Sequence, residues 1–180
     1  MESRTWTSKV NVVAVEQLPR HMQALLKSAH HAADNAYAPY SQFQVGSAVQ
    51  LSNGEVVQGS NQENMAYPSG MCGERVAVFA AGSQHPGVTM EAVAIVSPSQ
   101  NAIADAFMPC GGCRQVLLEA ERRQGTPIQI LLQVRGEVVT MSESAANLMP
   151  FAFDAHGLGG ETPDKICLLY TSDAADDSQC

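Results

Sequence analysis

Positive charge is scarce in this chain. Its 180 residues carry 10 Lys and Arg against 18 Asp and Glu, a formal net charge of −8. A body that acidic exerts no general electrostatic pull on phosphate backbones, which weighs against a nucleic-acid substrate while leaving room for a local basic patch. Long apolar runs are missing too, since none reaches the roughly 18 residues a membrane-spanning helix needs. The opening "MESRTWTSKVNVVAVEQLPR" lacks a basic head followed by an apolar run, so it does not read as a secretory signal. Internal repeats and low-complexity linkers are absent. These absences predict a cytoplasmic protein with no membrane or nucleic-acid partner. The apolar share of 45% suits a single domain with a substantial core.

Cysteine is also rare, with five in all, and where it stands is informative. In a reducing compartment stable disulfides are uncommon, so grouped cysteines read as metal-binding or catalytic. Cys167 and Cys180 lie in "CLLYTSDAADDSQC", which follows "GLGGETPDKI" with no turn logic or continuing periodicity. The run "CLLYTSDAAD" resembles a translated sequencing-library adaptor. Residues 167–180 are therefore read as an artefact within a C-terminal tail, 155–180. The remaining cysteines are Cys72 in "SGMCGERVAVFAAG" and Cys110 and Cys113 in "AFMPCGGCRQVLLEAE", each stretch an apparent helix start.

Periodicity predicts the elements around them. After an N-terminal extension over residues 1–15, Met22, Leu25, Leu26, Ala29, Ala33 and Ala36 recur at helical spacing behind a first-turn proline. "FQVGSAVQL" and "EVVQGSN" alternate around Asn53-Gly54, a hairpin signal. A helix from about Cys72 to Gly82 follows, then the buried-strand run "EAVAIVSPS". A helix from about Cys110 to Arg123, the strand "PIQILLQV", a turn at Arg135-Gly136, the strand "EVVTM" and a short helix "SESAANLM" complete residues 16–154. The order α-β-β-α-β-α-β-β-α predicts an α/β fold, a sheet covered by helices with a hairpin adding antiparallel character.

Cys110 and Cys113 are one helical turn apart and can face a common point, which Cys72 can join from another helix start. Three thiolates supply three of zinc's four ligands, and a catalytic zinc site keeps its fourth position for water. Helix N-termini favour thiolate over thiol. Glu74 on the first turn sits beside such a site without ligating, where a carboxylate can move protons. Three thiolates outweigh zinc's two positive charges and weaken it as an acid. Arg75, donating to a thiolate, would recover part of that loss, and Arg114 could act similarly. Two other readings stay open here. "CGGC" suits dithiol redox chemistry, although Cys72 and Glu74 have no place in it. A closed structural zinc site would need His21, His30, His31, His85 or His156 as fourth ligand, and none has metal-motif spacing to the cysteines.

"C-x-E" followed by "P-C-x-x-C" resembles the zinc deaminase signature. Together with "AYAPYSQFQVGSAV", "GSNQENMAYPSGMCGERVA" and "MPCGGCRQVLLE", the chain resembles the small homotetrameric cytidine deaminases from about Leu25 to Phe153. The resemblance implies a three-layer α/β/α fold with a central mixed five-stranded sheet and one Zn2+ per chain, held at Cys72, Cys110 and Cys113. It implies hydrolysis of cytidine and deoxycytidine by zinc-activated water, with Glu74 as proton shuttle. Asn61 and Glu63 match the residues that hold the ribose hydroxyls, Phe43 the aromatic that packs on the nucleoside, and the backbone of Ala66 and Cys72 the contacts to the base. Tyr67 belongs to the same substrate-binding loop. Phe153 aligns with an aromatic that closes a neighbouring subunit's pocket, leaving Phe151 as an extra apolar residue. Gly73 and Met65 depart from the family, which commonly has alanine and a small residue there. Other expectations are a deaminase of a cytosine-containing antibiotic such as blasticidin S, a non-enzymatic zinc module and, more distantly, a polynucleotide editor. The "N-x-E-N" stretch favours the nucleoside because it recognises hydroxyls that the antibiotic's sugar lacks.

Overall fold

The computed structural model describes residues 2–153. The adaptor-like run, Cys167, Cys180 and His156 lie outside the described residues. The strands are β1 (Asn11–Ala14), β2 (Gly46–Leu51), β3 (Val56–Ser60), β4 (Met90–Ser97), β5 (Gln129–Val134) and β6 (Val138–Ser142), and the helices are α1 (Arg20–Ala33), α2 (Gly73–Gln84) and α3 (Gly111–Gln124). They form one mixed sheet in the order β1-β6-β5-β4-β2-β3, in which β4 and β5 are parallel and every other pair is antiparallel.

The period-2 alternation of strand side chains sorts the core into two layers. Ala48, Ala92, Ala94, Val96 and Leu131 face α1, where they meet Leu25, Leu26 and Ala29. Val49, Val93, Ile95, Ile130 and Leu132 point the other way, against Ala77, Val78 and Ala81 of α2 and Leu117 and Ala120 of α3. The alanines on the α1 side let that helix lie close to the sheet. At Gly46 the approach is closest, because a Cβ there would run into the carbonyl of Ala29.

The α/β/α expectation holds, with two corrections. The sheet has six strands rather than five, because Asn11–Ala14, assigned from the sequence to an extension, pairs with β6 through Asn11↔Met141 to Ala14↔Val138. Four residues are too few for alternation to reveal, and the pairing is long-range. The last helix is the second correction. "SESAANLM" contributes only a 3-10 turn, Ala146–Leu148, because its polar side chains bond locally instead. Ser142 Oγ donates to Ser144 O at 2.9 Å and accepts from Asn147 Nδ2 at 2.8 Å, while Asn147 N donates to Ser144 Oγ at 3.1 Å.

Direction within the sheet positions the site. Strands β3 and β4 are both antiparallel to β2 and so run the same way. The helices that follow them, α2 and α3, therefore begin at the same edge, outside the carboxyl ends of the strands, where open α/β sheets bind ligands.

Candidate active site

Cys72 is the residue that caps α2, Cys110 the residue that caps α3, and Cys113 lies in the first turn of α3. Their Sγ atoms all lie within 4.8 Å of one another, and Cys110 and Cys113 are 3.3 Å apart. Sequence reasoning brought these three together, and the fold does the same. Soft sulfur donors in this number suit zinc. Among the described residues no histidine or carboxylate joins the group as a fourth ligand. His30 instead hydrogen-bonds Gln133 Oε1 at 2.8 Å, and His31 and His85 stand 3.7 Å from Asp34 and Glu55.

The sulfurs and Arg75 perturb one another. The Cys72 thiol is pulled down to about 5, first by the hydrogen bond from Cys113 and then by Arg75, whose Nη2 is 4.0 Å from Cys72 Sγ. The Cys113 thiol is pushed up because it gives that hydrogen bond and is buried. Arg75 Nε is buried without a partner of its own. Glu74 is only 5% exposed, and burial raises its carboxyl above the ordinary value against the opposing pull of its own backbone N–H and the Cys113 thiol. Gly73 between them is the first residue of α2, where low helix propensity matters little. A Cβ there would stand 2.8 Å from Val45 O, so glycine lets the loop ahead of β2 close on the helix start.

A cleft of about 380 Å³ opens beside Cys72 and Arg75, and Tyr40, Ser41, Asn61, Glu63, Asn64 and Tyr67 form much of its wall. That size suits a small polar molecule. A larger hollow of about 510 Å³, lined by His21, Gln50, Glu91 and Glu143 among others, lies at the amino ends of β4 and β5 and contains none of the cysteines. Chemistry, not size, selects the first. Glu63 is held in place there. Its Oε2 accepts from Tyr40 N at 3.0 Å and Ser41 N at 3.2 Å, and its Oε1 accepts from Ser41 Oγ. The Ser41 hydroxyl is the main cause of a carboxyl pKa below the ordinary value. Asn61 is buried, its Oδ1 accepting from Val45 N at 2.8 Å and its Nδ2 donating to Phe43 O at 2.9 Å.

Other sequence-predicted residues are placed less directly. Ala66 is exposed, and its N–H donates to Asn64 Oδ1 at 2.8 Å. Phe43 is half-buried, its ring centroid 6.3 Å from that of Phe107. Phe153 is 69% exposed, and its carbonyl accepts from Gln115 Nε2 at 3.2 Å. Phe151, the extra aromatic, packs on Trp6 with centroids 6.4 Å apart. Arg114 turns from the sulfurs to Pro109 O at 2.8 Å and Leu148 O at 3.2 Å. The sequence reading missed Ser41, Tyr40 and Phe107. Only the place of "PYS" two residues ahead of Phe43 hinted at the first two.

A family model for the cytidine and deoxycytidylate deaminase zinc-binding region matches residues 19–125, a span that includes Cys72, Glu74, Cys110 and Cys113. The chain belongs to this family. Over 138 residues it is 37% identical to the cytidine deaminase of Halalkalibacterium halodurans, covering 76% of this chain and 96% of that one. It is 35% identical over 138 residues to the cytidine deaminase of Sporosarcina psychrophila, covering 76% and 94%. Among solved structures, the cytidine deaminase from Burkholderia pseudomallei matches with a TM-score of 0.63 at 37% identity, over 76% of this chain and 100% of the other. The cytidine deaminase from Mycobacterium tuberculosis matches with a TM-score of 0.57 at 34% identity, over 74% and 97%. As a member of this zinc deaminase family, the chain has in Cys72, Cys110 and Cys113 a cluster able to hold the metal.

Proposed function

We propose that this chain hydrolyses cytidine and deoxycytidine to uridine and deoxyuridine with release of ammonia, a step of pyrimidine salvage. One observation carries the reading: a buried carboxylate, Glu74, beside three converging sulfurs, one of which, Cys72, lines the cleft. Cys72, Cys110 and Cys113 would hold the zinc, which would supply Lewis acidity for activating a water. Glu74 is the chain's own proton carrier: its carboxyl would accept a proton from the attacking water and deliver it to ring nitrogen 3 of the cytosine, which makes carbon 4 open to attack. Burial disfavours its charged form, so the carboxyl can both accept a proton and carry it. Arg75 offsets the negative charge of the sulfurs from its position beside Cys72.

The cleft walls take the sugar and the base. Glu63, anchored by Ser41 and Tyr40, offers its one remaining acceptor site to a ribose hydroxyl, and Asn61 keeps one further donor and one further acceptor for the sugar. The backbone of Ala66 and Cys72 meets the base edge, Tyr67 walls the loop, and Phe43 packs on the nucleoside. Phe153 closes the pocket of a neighbouring subunit in a homotetramer. In support of assembly, Met65, Tyr67, Phe79 and Phe153 are all large apolar groups left exposed on the single chain.

The test is a cytidine-to-uridine absorbance assay on the unmodified chain and on Glu74→Gln, with metal content measured on both. Zinc near one per chain is expected in each, with turnover in Glu74→Gln lower by about 10²- to 10⁴-fold. Equal activity in the two would remove the proton-shuttle role.

A further inference from the structure

The segment Phe43-Gln44-Val45, immediately before β2, lies outside any strand, yet every polar group of its backbone is bonded. Phe43 N donates to Ser41 Oγ at 3.0 Å, and Phe43 O accepts from Asn61 Nδ2 at 2.9 Å. Gln44 N donates to Ser99 Oγ at 2.7 Å, and Gln44 O accepts from Ser97 Oγ at 2.7 Å. Val45 N donates to Asn61 Oδ1 at 2.8 Å, and Val45 O accepts from Asn61 N at 3.0 Å. The regular pairing of β2 with β4 stops at Gly46↔Val96, and the two serines just beyond it take over the bonding a continued ladder would have made. Ser97, Ser99 and Asn61 are themselves buried, and Ser99 N donates to Ser97 Oγ at 3.4 Å.

A ladder would have kept this segment flat in the sheet. Side-chain bonds instead let it leave the sheet and lie against the start of α2, where Val45 O closes on Gly73. The ring of Phe43 is carried by this held backbone. We propose that Ser97 and Ser99 are positioning residues for substrate binding, fixing Gln44 at both its N–H and its carbonyl and so setting where Phe43 stands beside the cleft. The proposal rests on the reading that the cleft takes a cytosine nucleoside against Phe43. Neither serine touches the sulfurs or Glu74, so loosening the clamp acts on affinity and leaves the chemical step alone. A residue needed only for folding would lower stability and active-enzyme content without changing KM.

The experiment measures kcat, KM for cytidine, zinc content and Tm for Ser97→Ala, Ser99→Ala, Ser99→Thr, Phe43→Ala and the Phe43→Ala/Ser99→Ala double variant. Each serine-to-alanine change is expected to raise KM about tenfold with kcat within about twofold, and zinc content unchanged. Ser99→Thr, which keeps the hydroxyl, restores KM. In the Phe43→Ala background, Ser99→Ala adds no further rise, because the ring it positions is gone. Ser99, the less enclosed of the two, carries the test if Ser97→Ala does not fold. The clamp is refuted if Ser99→Ala leaves KM unchanged, lowers kcat instead, or acts additively with Phe43→Ala. An unchanged KM in Phe43→Ala removes the Phe43 contact and the proposal with it. Absence of cytidine turnover by the unmodified chain strikes the parent reading instead.

Discussion

At the scale of single residues, the site pushes two carboxyls in opposite directions. Glu74 is pushed toward its neutral form by burial, whereas Glu63 is held as an anion by the Ser41 hydroxyl. Because the folded-state pKa of Glu63 lies below 4.5, the carboxylate and the binding proposed for it are fully present above that value and fade as pH falls through the lower, folded one. Ser41→Ala returns the pKa toward 4.5, so the rise of KM on acidification is expected to begin at a higher pH than in the unmodified protein. A pH profile of KM checks this, and superimposed acid limbs would dismiss the anchoring role. The cysteines and Glu74 were legible from spacing, since metal chemistry constrains residue type and interval. Ser41, Ser97 and Ser99 were not, because a serine bonding a distant backbone has no local pattern. Asn61 was read as a ribose contact, and its amide also holds the loop that carries Phe43.

Among the elements, α3 carries two sulfurs at its start and a buried carboxylate toward its end. Glu121 accepts from Ile128 N and Ala145 N, each at 2.7 Å, and from Ala146 N at 3.0 Å. This one side chain joins the helix to the approach to β5 and to the 3-10 turn after β6. Glu121→Ala strands three N–H donors, those of Ile128 and Ala145 buried and that of Ala146 partly so, and is expected to lower stability by about 3 kcal/mol, read by chemical denaturation of the zinc-loaded protein. A loss within about 0.5 kcal/mol, the ordinary range for surface positions, would mean the bonds do little. Helix and strand order were readable from periodicity, and α2 and α3 begin within a residue of the expected starts. The missed strand β1 depends on a partner far away in the chain, β6, whereas the last helix is shortened by the local bonds of Ser142, Ser144 and Asn147, with Glu121 holding the resulting turn in place.

For the whole molecule, the exposed aromatic and apolar residues around the cleft and at residue 153 fit a particle completed by copies of itself. Analytical ultracentrifugation is expected to give four times the chain mass of 19.1 kDa, and a monomer at working concentration would contradict the shared-pocket reading. The proposed chemistry depends on the two helix starts meeting at one edge of the sheet around one metal. X-ray absorption at the zinc edge tests that meeting most directly. The account predicts one zinc per chain with three sulfurs at about 2.3 Å and one oxygen at about 2.0 Å. A fourth sulfur, an imidazole nitrogen in the coordination sphere, or a protein that takes up no zinc would contradict it.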